Sequence, residues 1–291
     1  MSNKAFIIIY LITIVSLLVV CCSDHYHCGD GYFYCDEIIS TSSHGQPLSI
    51  DKDLRYVLLE GNKVAILDNT RDYSPIIDLN DVSPNDTIID VVFTRVYWFL
   101  IYRSKCVSCY LIDWHGNYHV DFEFGNFGDS TDIINAVAAA ADDANNIYIV
   151  DSGDNTIKIY NIMGEFISTW ANVGEPMGIN IREDEIYILD GSDHKIREYN
   201  SNCEYQETIF EDFEFYDIIA FDGFVVADHG GERLVIMSDP PEIKSNYCFM
   251  DAVIELHSVS DIYMSEGQLF WVVDSGANAL IIFAPESYYY H

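Results

Sequence analysis

Three features of the sequence predict an all-β fold built from repeated four-stranded antiparallel sheets. Short runs of alternating apolar and polar residues follow one another along most of the chain, separated by clusters of Gly, Asp and Asn. In four successive groups of runs, an Asp directly follows the second run, and these Asp residues are 39, 38 and 46 residues apart. Beyond the N-terminus, no long segment has the apolar period of a helix. Repeats of about 40 residues with four strands each are typical of β-propeller blades, so we predict a propeller.

The first 22 residues differ in composition from the rest of the chain. Lys4 is their only charged residue, and an apolar run extends from Ala5 to Cys22. Such a run after a basic start is typical of a secretory signal, although its length also suits an uncleaved membrane anchor. Residues 18–22 also resemble the lipobox of bacterial lipoproteins, which predicts a lipid on Cys21 or Cys22. All three interpretations predict export, to the cell envelope or surface as a lipoprotein, or alternatively as a secreted or membrane-anchored protein.

Six cysteines follow this segment, and four of them form two close pairs. Cys28 and Cys35 lie in a stretch that we assign as a linker, residues 23–35, and Cys106 and Cys109 form a CxxC. In an oxidising compartment these four residues are candidates for disulfides, with unpaired thiols as the alternative. A redox or zinc site at the CxxC would be supported by a second CxxC or a following helix, and the sequence has neither pattern.

Six repeats account for residues 36–291, which we assign to one domain. The third repeat is the clearest, because its second and third strands, 147–150 and 157–160, flank the turn sequence DSGDNT. The sixth repeat supplies only three strands, and the apolar run Asp36 to Thr41 precedes the first repeat. We therefore predict that this N-terminal strand completes the last blade and closes the ring, because closure removes open sheet edges. The remaining predicted strands are 47–50, 56–59, 64–67 and 75–79 in the first repeat; one from 88, 96–102, 109–113 and 118–124 in the second; 134–139 and 166–170 in the third; 177–181, 185–189, 195–199 and 205–210 in the fourth; 216–220, 224–227, 234–237 and one near Tyr247 in the fifth; and 259–264, 269–273 and 280–283 in the sixth.

The Asp that follows the second strand is the strongest mark of the repeat register. It stands in IYIVDSGDNTI, IYILDGSDHKI, FVVADHGGERL and WVVDSGANAL, and these segments resemble the NHL-repeat family of β-propellers. The first two repeats depart from the pattern, since Glu60 and Arg103 stand where the Asp is expected. The six repeats predict a propeller of six blades with four antiparallel strands each, and Gly-rich links add a looser similarity to six-bladed propeller lipoproteins of bacteria. The register aspartates are Asp151, Asp190, Asp228 and Asp274.

These register aspartates are predicted to hold turns rather than metals. An Asp at a strand end can accept hydrogen bonds from the backbone N–H groups of the turn that it opens. Calcium bound by carboxylates and carbonyls in a central channel is the alternative for an acidic chain. For zinc, the candidate ligands are His194 and His229, which lie in the turns after two successive register aspartates.

Two enzyme classes of similar architecture bear on these residues. NHL-type propellers include a zinc-dependent lyase that cleaves hydroxyglycine peptides, and calcium-dependent lactonases also have six blades. The sequence lacks the lyase's histidine pattern at matched positions, and it contains no HExxH and no GxSxG. We therefore predict no catalytic residues and expect no cofactor, with Ca²⁺ or Zn²⁺ as the alternative.

The charge of the chain limits its partners. Its net charge is −33, from 14 basic and 47 acidic residues, which repels nucleic acid and anionic lipid heads. We expect no nucleic-acid partner and membrane contact only through the N-terminal segment. The sequence thus predicts a monomeric, exported, membrane-tethered NHL-like propeller that binds an unidentified protein or small-molecule ligand without catalysis. The alternative is a metal-dependent enzyme, similar to the peptide-amidating lyase or the lactonases, with its site in the central channel.

Overall fold

A computed structural model describes residues 19–21, 33–40, 46–50, 56–60, 63–67, 73–78, 88–94, 97–102, 107–112, 118–125, 128, 131–171, 173–182, 185–192, 195–210, 215–219, 225–228, 233–236, 242–244, 247–249, 252–254, 256–257, 259–264 and 270–284. All secondary-structure elements in these residues are β-strands, so the predicted all-β fold is confirmed. They include no helix of the length and apolar character needed to cross a membrane. Most of the predicted signal or anchor, residues 1–22, lies outside the described residues.

Five sheets of the described chain contain four strands each, and in each sheet the strands pair antiparallel in chain order. This arrangement agrees with the predicted four-stranded repeats. The first three sheets consist of β3 (Gln46–Ile50), β4 (Tyr56–Glu60), β5 (Lys63–Leu67) and β6 (Tyr73–Asp78); β7 (Ile88–Phe93), β8 (Tyr97–Tyr102), β9 (Val107–Ile112) and β10 (Tyr118–Phe124); and β11 (Ala136–Ala141), β12 (Ile147–Asp151), β13 (Thr156–Tyr160) and β14 (Phe166–Trp170). The fourth and fifth sheets consist of β15 (Pro176–Arg182), β16 (Glu185–Asp190), β17 (Lys195–Asn200) and β18 (Tyr205–Phe210); and β19 (Phe215–Ile219), β20 (Val225–Asp228), β21 (Arg233–Ile236) and β22 (Glu242–Lys244).

The sixth sheet is larger, because strands from both ends of the chain join it. Its strands are β1 (Val19–Cys21), β2 (Phe33–Ser40), β23 (Tyr247–Phe249), β24 (Ala252–Ile254), β25 (Val259–Met264), β26 (Phe270–Asp274) and β27 (Ala279–Ala284). The N-terminal strand β2 pairs antiparallel with β27, the third strand of the sixth repeat. On its other side, β2 pairs with β1 and, in parallel, with β23.

The fourth strand of the fifth sheet lies elsewhere than predicted. We expected it near Tyr247, but β22 pairs with β21, and Tyr247 belongs to β23 in the sixth sheet. The prediction was wrong because β22 has only three residues, two of them charged, which is too short for an alternating pattern to be recognised.

The third sheet is packed between the second and the fourth. All residues of β12 and β13 are buried, whereas exposed and half-buried residues alternate along β14. Ile147 and Ile149 share a core cluster with Phe99 of the second sheet, and Tyr148 and Val150 share another with strands of the fourth. The middle strands are therefore covered on both faces, and the fourth strand lies at the outer edge.

The strands that begin the six repeats are here called the first strands, and in the sixth repeat this strand is β25. The first strands lie next to one another. β3 contacts β7, β7 contacts β11, β11 contacts β15, β15 contacts β19, β19 contacts β25, and β25 contacts β3. Each sheet then has two ends. The Asp-turn end carries the turn between the second and third strands and the residues before the first strand, and the opposite end carries the other two turns.

Candidate functional site

Asp151 ends β12, and its buried carboxylate joins two segments of backbone. Its Oδ1 atom accepts hydrogen bonds from the backbone N–H groups of Asn135 (2.8 Å) and Gly153 (3.0 Å), and Oδ2 accepts one from Ile134 (2.8 Å). Burial raises the pKa of Asp151, but the ammonium of Lys158 and the N–H groups outweigh it and hold the pKa below its usual value. The carboxylate thus fixes both the turn after β12 and the approach to β11.

Lys158 neutralises this carboxylate in the interior of the sheet. Its Nζ atom lies 2.5 Å from Oδ2 of Asp151 and 3.0 Å from Oδ2 of Asp154, and it donates a hydrogen bond to the carbonyl of Asp132. The Lys158 side chain is fully buried. The sequence did not predict this pair, because a Lys within a strand normally indicates a solvent-facing position.

The fourth sheet repeats the arrangement around Asp190. Its Oδ1 atom accepts hydrogen bonds from the backbone N–H groups of Glu175 and Ser192, both at 3.0 Å, and from the Ser192 hydroxyl at 2.6 Å. Arg197 occupies the place of Lys158, seven residues after the register Asp, with Nη2 2.8 Å from Oδ2 in an ion pair without hydrogen-bond geometry. Gly174 packs so closely that an added Cβ would lie 1.9 Å from Oδ2.

The sixth sheet keeps the backbone contacts but lacks the strand cation. Asp274 accepts hydrogen bonds from the N–H groups of His257 and Ala277, both at 2.9 Å. Ile281 stands seven residues after it, and the exposed His257 imidazole lies 3.6 Å away. In the fifth sheet Asp228 ends β20, but its side chain is outside the described residues. In three sheets, therefore, the register carboxylate is bound to the backbone of its own turn.

The other predicted site residues are placed only in part. Within the described residues, no group of three or more His, Cys, Asp or Glu side chains could hold a metal ion. Cys21, Cys35 and Cys109 lie in β1, β2 and β9, and the described Cys203 is a free thiol. The predicted residues outside the described part of the chain are His194, His229, Cys22, Cys28 and Cys106.

A bulge at the Asp-turn end interrupts every first strand. The unpaired residue directly follows the strand's first paired residue, or its second in β3, and a bulge of this kind re-aims a side chain near a sheet edge. Val137 and Met177 occupy two such positions and remain 37% and 38% exposed, and Ile134, just before β11, is 54% exposed. All but one of the bulge positions hold large apolar residues. The six bulge residues are Leu48, Ile89, Val137, Met177, Tyr216 and Ser260.

An acidic position follows the bulge in three first strands. Asp90 accepts hydrogen bonds from the N–H groups of Val91 (2.7 Å) and of Ala139 (3.0 Å) in the neighbouring sheet. Its side chain keeps some solvent contact, yet burial outweighs the two N–H groups and raises its pKa to about 6. Asp217 and Asp261 occupy the same register position in β19 and β25. Sequence reasoning missed this set, because it depends on counting from the bulges.

A cavity lies at the opposite end of the third and fourth sheets. Asp142 holds a turn there, since it accepts hydrogen bonds from the N–H and side-chain amide of Asn146, both at 2.7 Å, and from the Tyr148 hydroxyl at 3.3 Å. Burial, Asp142 and Cys203 all raise the pKa of Tyr148, which keeps its hydroxyl protonated. The cavity has a volume of about 310 Å³ and is lined by Asp142, Asp143, Ala144, Tyr148, Ile181, Ile186 and Ser201.

No known protein family matches the sequence, and no curated protein is similar to it. The structure is similar to solved structures of the propeller type. For the gluconolactonase XC5397 from Xanthomonas campestris the TM-score is 0.60 at 9% identity, and the match covers 93% of this chain and 98% of that one. The WD40 β-propeller domain of Doa1 gives 0.57 at 12% identity over 84% and 80%. An auxiliary nutrient-binding protein from Bacteroides thetaiotaomicron gives 0.57 at 10% identity over 82% and 69%. These similarities show a β-propeller fold.

Proposed function

We propose that this chain is an exported, membrane-tethered, NHL-like six-bladed β-propeller that binds a ligand or protein partner without catalysis. The contacts of the first strands support six blades in a closed ring, because each first strand contacts the next and β25 contacts β3. The pairing of β2 with β27 supports closure by the N-terminal strand, since β2 then becomes the fourth strand of the last blade. The first strands would line the central channel.

The bulges of the first strands are the main support for the binding function. Every first strand has a bulge at its Asp-turn end. Of the bulge side chains that the structure describes, Val137 and Met177 are more than one third exposed, and Ile89 is half-buried against the core. In a closed ring, the six bulges surround the channel mouth on a single face. Side chains held by a rigid scaffold around one opening are well suited to recognition, because little order has to be created on binding.

The contacts of the register aspartates support a role without catalysis. The carboxylates of Asp151, Asp190 and Asp274 accept backbone N–H hydrogen bonds, and two of them also face a cation at 2.5 and 2.8 Å. A carboxylate that is bound in this way is a poor general base, because proton uptake would break the contacts that hold its turn.

A metal-dependent enzyme of the lactonase kind is the second candidate. Asp90, Asp217 and Asp261 share one register position in three first strands, and the fold is similar to that of a gluconolactonase. Carboxylates from several blades are suitable ligands for Ca²⁺. This candidate predicts a tightly bound ion and turnover of a lactone, whereas the binding module needs neither.

The two candidates are separated by one set of measurements on the full-length protein. Thermal unfolding is followed with panels of organic cations, sugars and peptides, and γ- and δ-lactone hydrolysis is assayed with and without Ca²⁺ or Zn²⁺. We expect a ligand to raise the unfolding temperature and to be recovered unchanged. Lactone hydrolysis that disappears with EDTA and returns with the ion would overturn the proposal.

Export and tethering have their own test. Cells that express the protein are labelled with palmitate, and the variants Cys21→Ser and Cys22→Ser are compared with the parent. We expect a label that is lost in one of the two variants, together with delivery to the cell envelope. An unlabelled protein with an intact N-terminus in the cytoplasm would contradict this part of the proposal.

A further inference from the structure

We propose that the channel mouth at the Asp-turn end of the propeller binds an amphipathic organic cation, with the apolar part on Val137 and Met177 and the positive group beside Asp90. The inference rests on the proposed closed ring and on its function as a binding module. It specifies which face of the propeller binds the ligand and the chemical class of that ligand.

The bulge positions supply the apolar part of the site. Five of the six are large and apolar, namely Leu48, Ile89, Val137, Met177 and Tyr216. Of those whose side chains the structure describes, Val137 and Met177 leave more than a third of their surface in water, and Ile89 is half-buried against the core. Exposed apolar side chains such as Val137 and Met177 gain free energy when a ligand covers them.

The exposed apolar side chains at this end are held in place by close packing on glycines. An added Cβ on Gly191 would lie 2.2 Å from the sulfur of Met177, and an added Cβ on Gly153 would lie 2.5 Å from Ile134. The side chains therefore rest directly on the turns that the register aspartates fix. A ligand that binds there meets a surface that is already ordered, which lowers the entropic cost of binding.

The position after the bulge supplies the negative charge. Asp90 accepts only neutral N–H donors in its described contacts, from Val91 and Ala139. A carboxylate has about four acceptor sites, so two remain for an ammonium or guanidinium group. Asp217 and Asp261 stand at the same register position, and the chain carries a net charge of −33, so charge complementarity favours a cation.

The apolar positions distinguish an organic cation from a metal ion. Ca²⁺ needs six to eight oxygen ligands, and alanine and glycine occupy the position after the bulge in β11 and β15. An organic cation with an apolar body uses both kinds of surface, because its body covers the bulge residues while its charge pairs with a carboxylate.

Fluorescent probes that differ in charge test the proposal on the full-length protein. Dansylcadaverine is an apolar ring system with an ammonium group, dansylamide is neutral, and anilinonaphthalene sulfonate is an anion. We expect dansylcadaverine to bind at least tenfold more tightly than either of the other two. Equal binding of the three probes, or no binding of dansylcadaverine at millimolar concentration, would overturn the inference.

Matched variants locate the site. Met177→Ser and Asp90→Asn should each weaken dansylcadaverine binding about tenfold, and Asp90→Asn should leave dansylamide unaffected. The controls Met163→Ser and Asp143→Asn lie at the opposite end, where both side chains are exposed, and should change nothing. If Asp90→Asn fails to fold, the Met177 and Met163 variants still give the answer.

The outcomes separate this inference from the proposed function. Dansylcadaverine binding that is lost in Asp143→Asn and kept in Met177→Ser would overturn the inference, because it would place the ligand in the cavity at the opposite end. The binding function would stand in that case. Metal-dependent lactone hydrolysis would overturn the proposed binding function itself.

Discussion

The Nζ atom of Lys158 lies 2.5 Å from Oδ2 of Asp151, and neither side chain contacts solvent. Asp151 in turn receives N–H groups from the approach to β11 and from the turn after β12. The ion pair therefore neutralises a buried charge on which the Asp-turn end of the third sheet is built. Arg197 and Asp190 form the corresponding pair in the fourth sheet, but Arg197 is 23% exposed.

Removal of the buried cation should destabilise the fold strongly. Lys158→Met keeps the length of the side chain but leaves the Asp151 carboxylate buried without a counter-charge, which costs roughly 3–5 kcal/mol. We expect this loss in the free energy of unfolding, measured by urea denaturation. Arg197→Met is the matched control and should cost less, because water can still reach its site. Equal losses in the two variants would contradict this account.

A double variant tests whether the two charges act as a pair. Lys158→Met combined with Asp151→Asn removes both charges and keeps one acceptor oxygen for the turn. The double variant should lose less than the sum of the single variants, by about 0.5–3 kcal/mol. Additive losses would show that Lys158 contributes only packing.

Gly174 should tolerate no side chain. Its φ is +83°, and an added Cβ would lie 1.9 Å from Oδ2 of Asp190, so Gly174→Ala combines backbone strain with a clash against a fixed carboxylate. We expect a loss of roughly 2–4 kcal/mol. Gly128→Ala is the control, because Gly128 has a φ of +79° but no atom near an added Cβ, and it should cost about 1 kcal/mol. A similar loss for both substitutions would contradict the close approach to Asp190.

The raised pKa of Asp90 predicts a pH dependence of stability. Burial raises this pKa from 3.8 to about 6, so the folded state binds a proton more tightly than the unfolded state. The contribution of Asp90 is fully present below pH 4 and is lost as the pH rises to about 6, by roughly 2–3 kcal/mol. The difference in unfolding free energy between the parent and Asp90→Asn, measured from pH 4 to 7, should therefore shift in favour of the variant. A constant difference would contradict the burial of this carboxylate.

Pairing of β2 with β27 can be tested by cross-linking. Ile38 pairs with Ile281, which puts their Cα atoms about 5 Å apart, within disulfide range. Ile38→Cys with Ile281→Cys should form a disulfide on mild oxidation, detected by peptide mass spectrometry. Val272 pairs with Ile281 on the other side, so Ile38→Cys with Val272→Cys spans about 10 Å and should not cross-link. Cross-linking of the control pair alone would exclude this closure.

The sequence predicted the fold well where local patterns decide it. In the third and fourth repeats, apolar runs on both sides of an Asp-containing turn identify the two middle strands, and the turn residues fix where they end. The leftover N-terminal strand was predicted from the need to close a sheet edge. β22 was missed because three residues, two of them charged, carry no periodic signal.

The candidate site was beyond sequence reasoning for a different reason. Asp90, Asp217 and Asp261 share a position only when each strand is counted from its bulge, and a bulge is defined by the partner strand. Lys158 was missed because its burial depends on an Asp seven residues earlier and on the neighbouring sheet. The spacing from register Asp to Lys or Arg in two successive repeats was visible in the sequence, and it could have suggested the pair.

Above all, we propose that the propeller binds a ligand without a metal-dependent reaction. Native mass spectrometry of the full-length protein, purified without chelators and then mixed with dansylcadaverine, measures both bound metal and bound ligand. We expect a chain free of stoichiometric metal that gains the mass of one intact cation, and a Met177→Ser variant that does not gain it. The contradicting result is a stoichiometric Ca²⁺ or Zn²⁺ held by three or more protein ligands on the purified chain, together with hydrolysis of a lactone in the assay with Ca²⁺ or Zn²⁺.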